Sequence, residues 1–260
     1  MKRSHILLLF VCHCILLSCS APSFFLPAVT GNDVAYLPKP MEVDSVTSKT
    51  YLSASIAGME LPHNSGSMNM GFINISRGHT IKNINFAYGA FGFTGKTSDE
   101  DTNGGEKQIP EFDDKNFYGA GLRTSIGYFD NMGNAEFRML SWDNSLSIEN
   151  GNYSSFRKRI IDINNKDIVS ASKTVLFTTG ISTEIIWHSK RKPVNQFAFR
   201  VFYGFTPGLN SNLRYSNPNA STEGKAVDFA FYFKLNKFFG IFNTGGNKGF
   251  TSKFGLGYSF

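Results

Sequence analysis

The sequence predicts an all-β chain: an antiparallel up-and-down transmembrane β-barrel, preceded by a signal peptide and an extended linker. Three observations carry that expectation. After about residue 48, apolar residues alternate with small or polar ones, the period of strands with two unlike faces. Mean hydropathy is only −0.18, as expected where lipid-facing and lumen-facing residues average out. No segment after the N-terminal region has the roughly 18 consecutive apolar residues of a helical span.

The chain divides into residues 1–18, 19–48 and 49–260. Met1-Lys2-Arg3 is basic, and the apolar run from Ile6 to Leu17 follows it. That run is too short for a bilayer span, which needs about 20 residues, so it reads as a signal peptide. It ends in Leu16-Leu17-Ser18-Cys19, which resembles the bacterial lipobox. The resemblance implies cleavage before Cys19 and acylation of that residue. Cys12 and Cys14 would leave with the signal, so the mature chain would have no free thiol, disulfide or cysteine metal site.

Residues 19–48 contain Pro22, Pro27, Pro38 and Pro40. Prolines at that density disfavour helix and central strand, so the segment is expected to be an extended, loosely packed tether. Some Gram-negative exported lipoproteins carry an acidic stretch after the Cys. Ser20-Ala21-Pro22-Ser23 has none, so an anchor in the periplasmic leaflet of the outer membrane is expected.

From Lys49 onward the chain reads as strands. Val175-Phe177-Ile181-Ile185-Trp187, Phe197-Phe199-Val201-Tyr203-Phe205 and Val227-Phe229-Phe231-Phe233-Leu235 each keep to odd positions. Tyr118-Leu122-Ile126-Tyr128 keeps to even ones. Weaker runs cover 50–61, 67–77, 81–94 and 134–148. In 81–94 the apolar parity changes between Tyr88 and Phe91, which predicts a bulge or a wholly buried end. A helix is suggested only over Ser155 to Ile163. Short turns are expected near 77–80, 131–133 and 189–194, and long connections at 95–115, 149–171 and 208–224. Their alternation matches the short periplasmic turns and longer outer loops of membrane barrels. Nine runs are counted. Ten strands follow if Asn236-Lys237 is a tight turn, and eight if the first or ninth run is not a strand.

The closing stretch places Phe250, Phe254, Leu256, Tyr258 and Phe260 on one parity, with Lys253 and small residues on the other. It resembles the last strand of bacterial outer-membrane β-barrels, in which Phe254, Leu256, Tyr258 and Phe260 would form the signal read by the barrel assembly machinery. The apolar faces are assigned to lipid, because a small barrel has room inside for modest side chains but not for so many aromatics. Tyr118, Tyr128, Trp187, Phe205, Tyr258 and Phe260 then lie where interfacial girdles do. Arg123, Glu184, Arg200, Asp228, Lys234 and Lys253 fall on the opposite faces and become candidate lumen charges; facing lipid, an Arg or Lys would cost about 2–4 kcal/mol near the midplane. The alternative is a soluble, lipid-tethered barrel or sandwich with its aromatics inward.

Chemistry is sparsely signalled. The net charge of +6 falls to +4 once Lys2 and Arg3 are removed, and the basic residues are scattered, which disfavours nucleic acid as a partner. His63, His79 and His188 lack partners at metal spacing, and Gly245-Gly246-Asn247-Lys248-Gly249 is a turn rather than a phosphate loop. No cofactor is indicated. Asp99-Glu100-Asp101 with Asp113-Asp114 is the most tempting cluster. Its acidic pair is similar to that of the omptin outer-membrane proteases, with His63 at the same expected rim, but the Asp-x-His element of that family is missing. His188-Ser189 matches the residue types of the lipid A deacylases but lies on an expected periplasmic turn.

Taken together, the two ends and the alternation between them resemble the small barrel lipoproteins of Bacteroidetes-like Gram-negative bacteria. The implied role is non-enzymatic: a structural or accessory outer-membrane component, within a larger membrane complex or contacting only lipid. A barrel that binds or transports a small ligand or surface polymer is one alternative. A rim-sited hydrolase using Asp113 or Asp114 is the other.

Overall fold

A computed structural model describes residues 23–30, 33–41, 47–62, 66–99, 112–162, 168–192, 194–209, 224–247 and 249–260. Cys19, Glu100, Asp101 and His63 lie outside them. The chain opens with β1 (Ser23–Phe25) and then runs through β2 (Ser48–Glu60), β3 (Ser67–Ile81), β4 (Ile84–Ser98), β5 (Asn116–Met132) and β6 (Ala135–Asn150). Helix α1 (Asn152–Asp162) and β7 (Ile168–Ser170) follow. The remaining strands are β8 (Val175–His188), β9 (Gln196–Phe205), β10 (Lys225–Leu235), β11 (Phe238–Gly246) and β12 (Phe250–Ser259). β1 and β7 pair in parallel as a separate small sheet; the other ten strands form a closed antiparallel barrel.

Closure joins the last strand to the first of the barrel, with Phe254 opposite Ile56 and Ser259 opposite Tyr51. The barrel therefore has no free edge with unpaired backbone groups, the condition for a sheet to lie in lipid. Ten strands are reached through the Asn236-Lys237 turn, where Asn236 takes a φ of 56° between β10 and β11. Another reverse turn lies at Gly133-Asn134 (Gly133 φ 67°). The turn expected at 77–80 is displaced: β3 continues through Arg77 and His79 to Ile81, and the chain reverses at Lys82-Asn83, with Lys82 at φ 52°.

The connections fall at two opposite ends, with the three longest at the same one. The connections around 61–66, 99–115, 151–174, 206–224 and 247–249 share one rim, called the loop end below. The connections at 82–83, 133–134, 189–195 and 236–237 share the turn end with the C-terminus. Helix α1 and the β1–β7 pair stand at the loop end, where α1 packs on β5, β6 and β7.

The outward faces are apolar, as the alternation predicts: Ile56, Ile73, Leu122, Ile148, Phe199, Phe231 and Leu256 lie on them. Polar groups on this face satisfy one another. The Trp142 indole N–H donates to Thr179 Oγ1 at 2.9 Å, and Thr179 Oγ1 to Asn144 Oδ1 at 2.7 Å.

The inward face departs from expectation, because it holds a set of large aromatic rings. Phe72, Phe91, Phe93, Phe117, Phe129, Phe202 and Phe239 are all buried. The parity change in 81–94 is thus a buried end and not a bulge: the register of β4 with both neighbours is continuous, and Phe91 and Phe93 point inward. Room comes from glycines in adjacent strands. A Cβ on Gly119 would meet the Phe93 ring at 2.4 Å and the Ile148 carbonyl oxygen at 2.1 Å; one on Gly121 would meet the Phe91 ring at 2.5 Å. Bulges occur instead at Tyr128/Asp130 in the β5–β6 pairing and at Arg138/Ser141 in the β6–β8 pairing. The second shifts the parity of β6, so Glu136 and Arg138 point inward on even positions and Ser141, Asp143, Ser145, Ser147 and Glu149 on odd ones, all buried.

Two outcomes follow. The folded chain should migrate differently on SDS gels before and after boiling, whereas a soluble tethered domain should not. Gly119→Ala should lower the unfolding midpoint in urea by an amount equivalent to about 1–3 kcal/mol or more, because backbone blocks the new methyl. Gly71→Ala, on the lipid face with nothing within 4 Å, should leave that midpoint in place.

Candidate functional site

The lumen is occupied by the chain's own N-terminal segment. Residues 23–30 and 33–41, expected as a loose tether, run through the barrel from the loop end to the turn end, with a turn at residues 28–30 where the Thr30 N–H bonds to the Pro27 carbonyl and the Asp33 N–H to the Val29 carbonyl. Phe24, Phe25, Leu26, Val29, Asp33, Val34, Tyr36, Leu37, Lys39 and Met41 are all buried. The prolines suit this position, since Pro27, Pro38 and Pro40 have no N–H to satisfy inside a barrel. The composition carries a signal for it too: so many aromatic and branched apolar residues are unusual for a solvated linker.

At the loop end the segment is held mainly by aromatic packing. The Phe25 ring lies 5.3 Å from Phe112 and 5.4 Å from Phe156, edge-on to the latter. Tyr153 on α1 packs in the same cluster and donates its hydroxyl to the Leu26 carbonyl at 2.8 Å. Burial raises the Tyr153 pKa, so the hydroxyl stays protonated as that donor. Glu149 bridges the segment to the helix: one oxygen accepts the Ala28 N–H at 2.6 Å, and the other pairs with Arg157 at 2.5 Å. Arg157 also donates to the carbonyls of Ala171 and Lys173.

Midway, Arg123 donates through Nε to the Asp33 carbonyl and through Nη1 to Asn74 Oδ1 at 2.7 Å. Its guanidinium lies 3.7 Å from the Phe91 ring centre, the stacked placement that suits a planar cation. Nearby, Arg200 stands 3.9 Å from Asp143 and 3.7 Å from Asp228, which also accepts an amide hydrogen of Asn243 at 2.9 Å. Lys253 Nζ lies 4.8 Å from the Phe72 ring centre.

Toward the turn end, Arg138 is the hub. Its Nε pairs with Glu136 at 2.7 Å and Nη1 with Glu184 at 3.1 Å; Nη2 donates to the carbonyls of Lys39 at 3.4 Å and Pro40 at 3.2 Å. Tyr36 donates its hydroxyl to Glu184 and packs on Tyr232 with ring centres 5.1 Å apart. Thr80 donates to the Pro40 carbonyl at 2.5 Å. Gly78 lets the segment lie against the wall, since a Cβ there would fall 2.7 Å from the Pro38 carbonyl oxygen. Between segment and wall, a cavity of about 30 Å³ lies beside Tyr36, Asn74, Arg123 and Lys253. That is room for water and too little for a solute.

The structure thus places Arg123, Glu184, Arg200, Asp228, Lys234 and Lys253 on the inward face, all buried. It adds Asp33, Tyr36, Lys39, Glu136, Arg138, Asp143, Glu149 and Arg157, which sequence reading does not single out. The β6 members are hidden by the bulge, and those before β2 by the tether reading. Phe254, Leu256 and Phe260 are exposed, and Tyr258, half-buried, shares their face.

The rim acids are engaged differently from a catalytic pair. Asp114 forms an exposed ion pair with Lys96 at 2.6 Å, which lowers its pKa, and Asp113 accepts the Asp99 N–H at 3.3 Å. His188 belongs to the turn end. Among the described residues, no group of three or more His, Cys, Asp or Glu side chains is arranged to hold a metal ion.

Arg138→Ala should lower stability by about 3–5 kcal/mol in urea unfolding from lipid vesicles, because Glu136 and Glu184 would remain buried without their shared cation. Asp114→Asn should leave the same unfolding curve in place.

No protein-family model matches the chain, and no curated protein matches it in sequence. Solved structures do match it in shape. The translocator domain of the autotransporter NalP from Neisseria meningitidis aligns at 10% identity and a TM-score of 0.33, covering 84% of this chain and 90% of that one. An outer-membrane channel from Pseudomonas putida F1 aligns at 9% identity and a TM-score of 0.42, covering 88% and 98%. The KdgM porin aligns at 8% identity and a TM-score of 0.29, covering 81% and 99%. The closed ten-stranded antiparallel barrel itself is given by the strand pairing of this chain.

Proposed function

We propose that this chain is an outer-membrane barrel kept closed by its own N-terminal segment, with a structural or accessory role in that membrane and no catalytic one. The observation that carries this reading is the series of contacts that the described residues of the segment make along the lumen. Leu26, Ala28, Asp33, Tyr36, Lys39 and Pro40 each meet a wall or α1 side chain. A ten-stranded barrel encloses little space beyond its side chains, and here an extended strand of chain takes it up. The girdle aromatics, the apolar outer face and the terminal Phe260 support insertion through the barrel assembly machinery. The outward face meets outer-membrane lipids and supplies a surface for packing within a larger membrane complex.

A second reading, a gated passage for a small polar solute or surface polymer, is favoured by the chemistry of the wall. Buried ion pairs are seldom more stabilising than apolar residues of the same size. A wall carrying Arg123, Arg200, Asp143 and Asp228 is better suited to a lumen that water enters when the segment moves.

Conductance in planar bilayers separates the two. The full chain should give no steady current under either reading. A variant lacking residues 23–41, with its heat-modifiable gel shift retained, should conduct. Spontaneous openings of the full chain at modest voltage would favour the gated passage; steady conduction by the full chain would overturn closure by the segment.

A further inference from the structure

Arginine is out of place on a face that meets lipid, and one stands there. Arg77 points outward from β3 and is exposed. Ile73 and Ile75 precede it on that face. His79, stacked on Phe86 with ring centres 4.4 Å apart, and Ile81 follow it, and Ile84 lies beyond the turn. All four isoleucines are exposed, so Arg77 has apolar neighbours toward both mouths. Its Nε donates to Ser48 Oγ at 3.0 Å, and among the described residues no carboxylate pairs with it. A cation so placed must reach water or an anion held at its own depth.

The strand register sets hydroxyl groups on either side of it. Thr50 of β2 lies opposite Arg77, Tyr88 of β4 is its partner on the other side, and Thr124 of β5 lies opposite Tyr88. One step toward the loop end the matching row is apolar: Leu52, Ile75, Ala90 and Leu122. Ala90 is its small member, and a hollow of about 480 Å³ is lined by Ala90 with Ile75 and Leu122 below, and by Thr50, Arg77, Tyr88 and Thr124 toward the turn end. That volume falls in the range of small-ligand sites, roughly 300–1,000 Å³. The turn end beyond this row is cationic. Lys82, Lys190, Arg191, Lys192 and Lys237 are exposed on three of its four connections, and Asp130 is the one exposed acidic side chain there among the described residues. Such a rim favours a leaflet of net negative headgroups over a neutral one.

We infer that the hollow at Arg77 is a binding site for an anionic glycerophospholipid. The lipid phosphate sits against the Arg77 guanidinium, with the hydroxyls of Thr50, Tyr88 and Thr124 on the same level, and one acyl chain lies over Ala90 between Ile75 and Leu122. A guanidinium suits a phosphate because its planar N–H groups pair with two oxygens at once. The hydroxyls supply further donors, and the apolar row below holds the chain that a free phosphate lacks. The site rests on the reading of the barrel as a membrane protein. It is independent of the plug and of which leaflet the turn end faces.

Native mass spectrometry of the full chain in neutral detergent, titrated with phosphatidylglycerol or with phosphatidylcholine, reads the site directly. A single phosphatidylglycerol should be retained per barrel in preference to phosphatidylcholine. Arg77→Gln should weaken that binding about tenfold or more, the scale of one lost charge-assisted contact. Ala90→Leu, which keeps every charge and fills the hollow, should weaken it as well. Lys237→Gln, at a different turn, should leave it unchanged. Phosphatidylcholine held as tightly as phosphatidylglycerol overturns the site. So does undiminished binding by Arg77→Gln or Ala90→Leu, or a loss in Lys237→Gln as large as that in Arg77→Gln. The heat-modifiable gel shift is the separate readout for the barrel. A chain that shifts on heating yet retains no phosphatidylglycerol sinks the site and leaves the membrane barrel standing, and a chain without the shift sinks both.

Discussion

An extended backbone at membrane depth, outside the sheet, must have its N–H and C=O groups satisfied by something other than lipid. Within the described residues 26–30 and 33–40, Leu26, Ala28, Asp33, Lys39 and Pro40 meet that constraint along the lumen, and much of the interior follows from it. Arg123 donates to the carbonyl of Asp33, Arg138 to those of Lys39 and Pro40, Thr80 to that of Pro40 and Tyr153 to that of Leu26, while Glu149 accepts the N–H of Ala28. The charged wall is therefore as much a set of partners for main chain as a set of ion pairs. Prolines at 27, 38 and 40 reduce the demand by removing donors.

The wall charges must in turn be compensated, since an isolated charge in such a place costs several kcal/mol. Arg138 does this with Glu136 and Glu184, and Arg157 with Glu149. Arg200 stands between Asp143 and Asp228 at distances longer than a direct hydrogen bond. The pairs nearest the two mouths are tight and the central one is loose. Glycines at 119 and 121 serve the same interior by letting Phe93 and Phe91 fold flat against neighbouring strands, which leaves a channel wide enough for a single extended segment.

Much of the barrel is legible in the sequence because alternation is local. The odd-position runs at 175–187, 197–205 and 227–235 reveal both the strand and its lipid face, and a two-residue turn at Asn236-Lys237 brings the nine counted runs to ten. Arg123, Glu184, Arg200, Asp228, Lys234 and Lys253 can be singled out by parity alone. Where parity breaks, legibility fails. The bulge at Arg138/Ser141 makes β6 look weak and hides Glu136 and Arg138, and Lys82-Asn83 is a less evident turn than Arg77–Thr80, although β3 runs straight through the latter.

By itself, then, the sequence determined an all-β, alternating chain that closes on an aromatic strand, because face and period are properties of neighbouring residues. Only the tertiary structure decided what fills the lumen and which way it is threaded. The contacts that hold residues 23–41 join positions as far apart as Ala28 and Glu149, or Tyr36 and Glu184. An extended proline-bearing segment reads the same whether it hangs in water or runs through a barrel, and the partners that distinguish the two cases lie far along the chain.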